Sequence, residues 1–474
     1  MLQVFGQKRL FYGYFIVAGS MFALFVSMGA RNGLGVFINP MEADGVWQNR
    51  TAIAAVIGLG TLVNALTQPF FGNLYDRYGG RAVISGSLLL LGVSTITLAF
   101  TQSIGPEFSV NVSILGGLLG QFELNNSLVY MFFIYSVLMS MASSGVSLVT
   151  VHAMLSKWYL RNRAKALSIA TAGTSAGGLL LTPFSASLIL WANWRFAWVA
   201  LGLFVLLLAL PLAYIILRDS PGEVGENPDG DADEVTGDTQ VARPTAVVDR
   251  RTPLQTEVWK DSLKSSPFWQ LSSAYFVCGI TTIIISAHFV PFAIDLGISS
   301  GIAAMAFGLS QGLNVVGVIV AGMLADKYSR KNVLGTIYFV RFLAYVMLVL
   351  PGFALMFWGI QISPMIGIWS FAVLAGMSWL ATPPLTSSLT ADIYGVRNIG
   401  TLNGLSTMSH QIGGAMSVYL AGVLYDRFGA YEIPFAIAGL FLLGATIASY
   451  SVNERKFSLR YQTTPNPATA GGGD

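Results

Sequence analysis

Twelve times along this chain a run of roughly 20 residues passes with almost no charge, and each is long enough to cross a hydrocarbon layer about 30 Å thick as a helix. The runs lie near 12-38, 51-72, 82-101, 128-154, 164-190, 196-217, 268-294, 302-324, 332-353, 364-389, 400-422 and 432-451, and are numbered as spans 1 to 12. Charged residues make up 10% of the chain and hydrophobic ones 54%, against roughly 25% charged in soluble domains. The fold class is therefore an all-α membrane protein of twelve transmembrane helices. The single cysteine, Cys278, sits inside an apolar run, so neither a disulfide framework nor a cysteine-based metal site is expected. Lys8 and Arg9 precede an apolar stretch longer than a secretory-signal core, and no cleaved signal is expected.

An even number of spans puts both termini on one side, and the basic residues say which. Of 26 Lys and Arg residues, 21 fall on the side holding the termini, which the positive-inside rule makes cytoplasmic. The net charge of +3 is too small to suggest nucleic acid. The domains are expected at 1-217 and 267-452, two six-helix halves. Between them, 218-266 contains PGEVGENPDGDADEVTGD and reads as a disordered linker, and 453-474 reads as a disordered cytoplasmic tail.

The halves repeat one another. Gly72, Leu74, Asp76, Arg77 and Tyr78 after span 2 match Gly322, Leu324, Asp326, Lys327 and Tyr328 after span 8 at an offset of 250. Trp158, Arg161, Asn162, Gly177 and Gly178 match Tyr394, Arg397, Asn398, Gly413 and Gly414 at an offset of 236, and the long polar connection between spans 3 and 4 has room for the difference. Parallel halves of this kind hold a substrate at their interface near the midplane.

The pattern G-x-L-x-D-[RK]-Y in both halves, with R-N-R-A-K-A after span 4, resembles the major facilitator superfamily. FYGYFIVAGS in span 1, HFVPFAIDLGIS in span 7 and AGVLYDRFGAYEIPF between spans 11 and 12 look like its bacterial branch related to monocarboxylate transporters and oxalate:formate antiporters. The resemblance implies a cytoplasmic gate formed by Asp76, Arg77 and Arg81 with Asp326, Lys327 and Lys331. It also implies a cavity lined by spans 1, 4, 7 and 10 with 2, 5, 8 and 11, the remaining spans serving as supports. Close helix approach is the expected role of Gly173, Gly177, Gly178, Gly413 and Gly414.

Ionisable groups within spans are costly and mark function. Arg31 in span 1 and Arg341 in span 9 lack an evident carboxylate partner, because every acidic residue falls in a loop, at a helix end, or in the linker or tail. A guanidinium fits a carboxylate through two parallel donors, so an anionic substrate would supply the missing charge. Arg31 is the first candidate anchor, with snorkelling to the outer interface as its bland reading. Arg341 is a second intramembrane anion contact or a structural group bonded to carbonyls. Related carriers carry an Asp/Arg pair in span 8; this span 8 has no charge and offers Gln311 and Asn314. These match Thr61 and Asn64 of span 2, where Gln68 follows, and a polar stripe in both halves reads as two cavity walls or as interhelical bonding. Tyr135 and Trp379 are candidate aromatic contacts. Of the three histidines, His288 and then His410 are candidate proton carriers and substrate contacts, while His152 reads as ordering a loop.

No metal cluster or phosphate-binding loop is present, so the chain reads as no enzyme, with no cofactor and no metal, driven by gradients. The expected function is secondary active transport of a small organic anion, a monocarboxylate, through the plasma (inner) membrane, by proton symport or anion exchange. Its partners are that anion, protons and the lipid bilayer, with no nucleic acid, and the chain is expected to be a monomer. Efflux of larger amphipathic compounds and a transporter-like sensor are the alternatives.

Overall fold

The computed structural model describes residues 10-32, 34-46, 50-101, 109-113, 121-231, 252-351, 356-357, 360-361 and 363-462. Among the described residues, eleven helices are long and apolar enough to cross a membrane. The twelfth, Ile399–Phe428, is span 11; its 30 residues carry so many Ser, Thr, Asn, Gln and His side chains that its hydropathy is low.

Spans 2, 3, 5, 7, 8, 9 and 12 are Arg50–Tyr78, Gly80–Thr97, Arg163–Trp191, Ser266–Asp295, Ser300–Lys327, Arg330–Val349 and Glu432–Ser451. Span 6 runs from Trp194 to Ile216 with a π-helical stretch within it. Span 1 comprises the described helical stretches Gly13–Asn32 and Leu34–Ala43. Two other spans are interrupted. Span 4 winds from Asn126 to Gly145, then breaks at Val146, and Ser147 caps a new helix, Leu148–Trp158, by accepting from the Val149 N–H at 3.2 Å. Span 10 is Pro364–Ser378 followed by Thr382–Tyr394. Pro383 and Pro384 stand in the first turn of its second helix, where a missing N–H costs least.

Each half has its own apolar core. Phe37 stacks on Trp198 with centroids 3.8 Å apart in one, and Phe289 packs on Phe371 at 5.3 Å in the other. Glycines bring helices to backbone contact inside each half. A side chain on Gly173 or Gly177 of span 5 would strike the carbonyls of Met21 or Phe25 in span 1, and one on Gly413 of span 11 would strike that of Phe276 in span 7. A β-carbon on Gly414 would meet Ile283, whereas one on Gly178 would meet nothing within 4 Å.

The long connection between spans 3 and 4 carries an antiparallel hairpin, Ser109–Ser113 with Gln121–Asn125. The linker departs from the expectation of disorder. Its start is fastened to the first half: Asp219 accepts from the backbone of Gly80 and Arg81, Glu226 from Tyr12 N–H at 2.9 Å, and Asp229 from Leu160, Arg161 and Asn162 at 2.8–3.2 Å. Its end is fastened to the second half, where Glu257 pairs with Arg397 at 2.9 Å. The tail likewise starts in order: Glu454 accepts from Ser329 Oγ at 2.5 Å and from Arg330 and Lys331 N–H at 3.2 Å. Short acidic segments that compensate orphan helix-start N–H groups gain enough to stay put without a core of their own. The remainder, 232-251 and 463-474, lies outside the described residues.

Candidate functional site

On the face that carries the chain ends, here the terminal face, the two halves meet through their repeated motif. Gly72 and Gly400 put the backbones of spans 2 and 11 in contact, each leaving no room for a side chain on the other. One turn on, Asp76 caps the start of span 11, accepting from Gly400 N–H at 2.9 Å, Thr401 N–H at 2.8 Å and Thr401 Oγ1 at 2.7 Å. The repeat does the same: Gly322 lies against Ser168 of span 5, and Asp326 accepts from Ala164 and Lys165 N–H at 3.0 and 2.8 Å. The i, i+4 spacing of Gly and Asp places both on one helix face, so close approach and capping occur together. A carboxylate on orphan N–H groups at a helix start gains from hydrogen bonding and from the helix dipole.

Between these two contacts lies a buried charge cluster that the sequence reading did not single out. Asp392, near the end of span 10, binds the Arg163 guanidinium from the first half and that of Arg330 from its own half. Arg330 also meets Asp326 at 2.9 Å. The three side chains of the Asp392 pairings are 1–5% exposed. Of the remaining expected gate residues, Arg81 and Lys331 bond within their own halves, to the carbonyls of Tyr214 and Tyr450, both at 2.9 Å. Arg77 and Lys327 are exposed. The acids of the motif, not its bases, cross the interface.

Further in, Asn64 of span 2 donates to Ser140 O at 3.1 Å and Ser144 Oγ at 2.8 Å in span 4, and its Oδ1 accepts from Gln68 at 3.2 Å and from Gln411 of span 11 at 3.3 Å. Gln68 Oε1 accepts from Ser147, the residue at the span 4 break, at 3.1 Å. In the other half, Asn314 accepts from Leu380 N–H at the span 10 break at 3.3 Å and donates to Gln311 Oε1 at 3.4 Å. Asn64, Gln68 and Asn314 are buried and bonded to neighbouring helices, the interhelical reading of the polar stripe. Gln68 and Asn314 bond at the breaks of spans 4 and 10, and Asn64 bonds Ser140 and Ser144 ahead of the span 4 break. Thr61 bonds its own helix, to Ile57 O at 3.0 Å, and Gln311 is half-buried.

Of the hydrogen bonds between the halves among the described residues, Asn64–Gln411 lies farthest from the terminal face. Beyond it, β-carbons on Gly58 of span 2 and on Gly308 and Gly312 of span 8 would meet nothing within 4 Å. The bonds named between the halves thus gather toward the terminal face.

On the far side of the Asn64–Gln411 contact Arg31 of span 1 is half-buried, with its guanidinium and carbonyl against the hydroxyl of Tyr135, the latter at 3.4 Å. No carboxylate among the described residues pairs with it. Tyr135 belongs to the π-helical stretch Phe132–Met139 of span 4, which is wound wide there.

The remaining candidates do not converge on Arg31. Arg341 is buried, donating to the carbonyls of Ser378 and Trp379 at 2.5 and 2.8 Å and to Cys278 Sγ at 3.2 Å. Pro383 has no N–H to offer the Trp379 carbonyl four residues back, and Arg341 supplies that donor. The Trp379 ring lies edge-on to Phe307 at 6.4 Å. His288 turns to spans 11 and 12, with Nε2 3.3 Å from Val418 O and its ring 5.2 Å from Tyr431, so its expected place in the cavity is corrected. His410 packs on Tyr275 at 4.7 Å, its Nε2 3.5 Å from Thr282 Oγ1.

With this geometry in hand, likeness to known proteins is informative. Residues 13–416 match the Major Facilitator Superfamily model. The chain is 27% identical over 425 residues to the uncharacterized MFS-type transporter YcxA of Bacillus subtilis (87% of this chain, 88% of that one). It is 27% identical over 316 residues to monocarboxylate transporter 12 of Rattus norvegicus (62% and 60%) and 24% identical over 448 residues to monocarboxylate transporter 11 of Homo sapiens (91% and 81%). Its fold is similar to the proton:xylose symporter XylE, with TM-score 0.66 at 12% identity over 95% of this chain and 98% of that one. FucP in the outward conformation gives 0.61 at 16% identity, over 91% and 97%. The chain belongs to the major facilitator superfamily and is a membrane-spanning transporter.

Proposed function

We infer that this transporter carries a small organic anion, a monocarboxylate, by alternating access, with the terminal face cytoplasmic. The observation that carries the reading is Arg31: a fixed cation within span 1, touched by Tyr135 and paired with no carboxylate among the described residues. Leaving a guanidinium half-buried and unpaired is costly, and a carboxylate entering from the far face offsets that cost through two charge-assisted bonds. The names of the relatives, monocarboxylate transporters 11 and 12, support the same substrate class.

The mechanism follows from what must break. Passage to the other state separates Asp76 from span 11, Asp326 from span 5 and Arg163 from Asp392, all in one rigid movement of the halves. Bound anion drives this only through a difference in affinity between the two states. The test is thermal stability of the purified protein with acetate, pyruvate, lactate, benzoate, sugars and cationic amphiphiles. A ligand of the folded state adds about 2.7 kcal/mol at a hundredfold excess over Kd. Stabilisation by monocarboxylates that disappears in Arg31→Gln supports the reading; stabilisation by sugars or cations alone overturns it.

A further inference from the structure

Spans 4 and 10 break at equivalent places, and each restarts as a helix running to the terminal face: Leu148–Trp158 in one half and Thr382–Tyr394 in the other. The first two turns of these helices face each other across the interface of the halves. Leu148, Val149 and His152 line one side of a small cavity, and Pro383, Thr386 and Ser387 line the other. Tyr275 of span 7 and Asn403, Ser406 and Thr407 of span 11 complete its wall. It lies terminal to the Asn64–Gln411 contact and short of the Asp392 cluster. At about 10 Å³ it has room for one water in this state.

Most polar groups around it are already spent. Asn403 donates to Ser387 Oγ at 2.7 Å, and Ser406 bonds Ser272 at 3.0 Å. His152 Nε2 lies 2.8 Å from Thr171 Oγ1. Thr171 gives its own proton to Leu167 O at 2.8 Å, so Nε2 is the donor of the His152–Thr171 pair. Thr386 is the exception: it is 3% exposed, and its Oγ1 has no protein partner. A buried hydroxyl left open beside two helix starts, whose dipoles both direct positive ends into the same region, is an arrangement that favours an anion. Pro383 and Pro384 remove backbone donors from one of these starts, which leaves the Thr386 hydroxyl as the donor on that side.

We propose that this cavity is a second, release-side subsite for the carboxylate of the transported anion, occupied after Arg31 is left and while the terminal face is open. It rests on the anion reading above. When Arg163 and Asp392 separate, the walls contributed by the two halves part and the water-sized space enlarges, with Thr386 and the helix starts still facing it. The anion thus leaves a fixed charge for neutral donors and a helix field. Binding there is weaker than at a guanidinium, which suits release.

The experiment compares the parent, Thr386→Val and Thr386→Ser in oriented membrane vesicles, using radiolabelled pyruvate and benzoate supplied from either face. The expected result is a half-saturating concentration at the terminal face at least fivefold higher in Thr386→Val, a far-face value within twofold of the parent, and recovery in Thr386→Ser. Equal change at both faces, or none at either, overturns the subsite while leaving Arg31 and the substrate class standing. A parent that moves neither probe nor any other carboxylate overturns the anion reading and the subsite with it. Should Thr386→Val fail to fold, Thr386→Ala carries the same comparison.

Discussion

Asp392 holds Arg163 of one half and Arg330 of the other on its two carboxylate oxygens, all three side chains buried. This is a bond between the halves that must open in every cycle. Removing its acid leaves two buried guanidinium groups, of which only Arg330 keeps a carboxylate, Asp326. Breaking a buried pair by deleting one partner costs about 3–5 kcal/mol. Asp392→Asn is therefore expected to shift the protein toward the state open at the terminal face and to slow uptake at least tenfold. Uptake assays with a spin-label distance across the terminal face check both.

Gly72 and Gly400 allow no side chain, because the obstacle on each is the other's backbone. Gly72→Val and Gly400→Val are each expected to abolish closure while leaving both halves folded, since overpacking at a fixed contact costs about 1–3 kcal/mol or more. With labels at the exposed positions Arg77 and Arg397 in a Cys278→Ser background, the distance should lengthen in either variant. An unchanged distance would show that the helices can slide past the added methyls.

Arg31→Lys keeps the charge but loses the planar fork. A drop of tenfold or more in apparent affinity for monocarboxylates is expected, with Arg31→Gln lower still, because a point charge does not replace two parallel donors. Equal affinity of Arg31→Lys and the parent would mean that charge alone is read.

Arg341→Met should lower thermal stability without selectively weakening substrate binding. It removes the donor to the Ser378 carbonyl and leaves the Trp379 carbonyl only the 3.4 Å bond from Thr382 Oγ1, a loss of buried hydrogen bonding worth about 1–3 kcal/mol. A fall in anion affinity with unchanged melting temperature would instead make Arg341 a ligand contact.

Asp44, beyond the far end of span 1, accepts from Trp194 Nε1 at 2.7 Å and from Arg195 at 2.8 Å, and these donors hold its carboxyl below the ordinary range. A depressed folded value contributes stability that is present above the unfolded value of about 3.9 and lost as pH falls through the folded one. The melting temperature of Asp44→Asn should therefore fall less than the parent's below about pH 4. Between pH 6 and 8 the two proteins should show parallel pH dependence.

Much of the fold is legible because it rests on local rules. Apolar length marks the spans, and the repeated Gly–Asp spacing marks the contacts of spans 2 and 8. Asp392 was hidden, since a single acid at a helix end looks like any loop acid until span 10 sets it against Arg163 and Arg330. Gln411 was hidden likewise among the polar residues of span 11. His288 misled because membership of a cavity-lining helix does not fix which face a residue occupies, and its side chain turned to Tyr431. Asn64 and Asn314 were hidden for a different reason: the span 10 break whose Leu380 N–H takes the Asn314 carbonyl oxygen, and the serines of span 4 that take the Asn64 amide, come into place only once the helices pack.

The fastening of the linker has a consequence for how the protein can be made. Asp219, Glu226 and Asp229 tie its first part to the half that precedes it, and Glu257 ties its last part to the half that follows. Neither docked segment needs the intervening peptide to hold its place. A gene cut between Asp231 and Thr252 and expressed as two polypeptides should yield fragments that insert separately, find one another through Asp76, Asp326 and Asp392, and transport as a noncovalent pair.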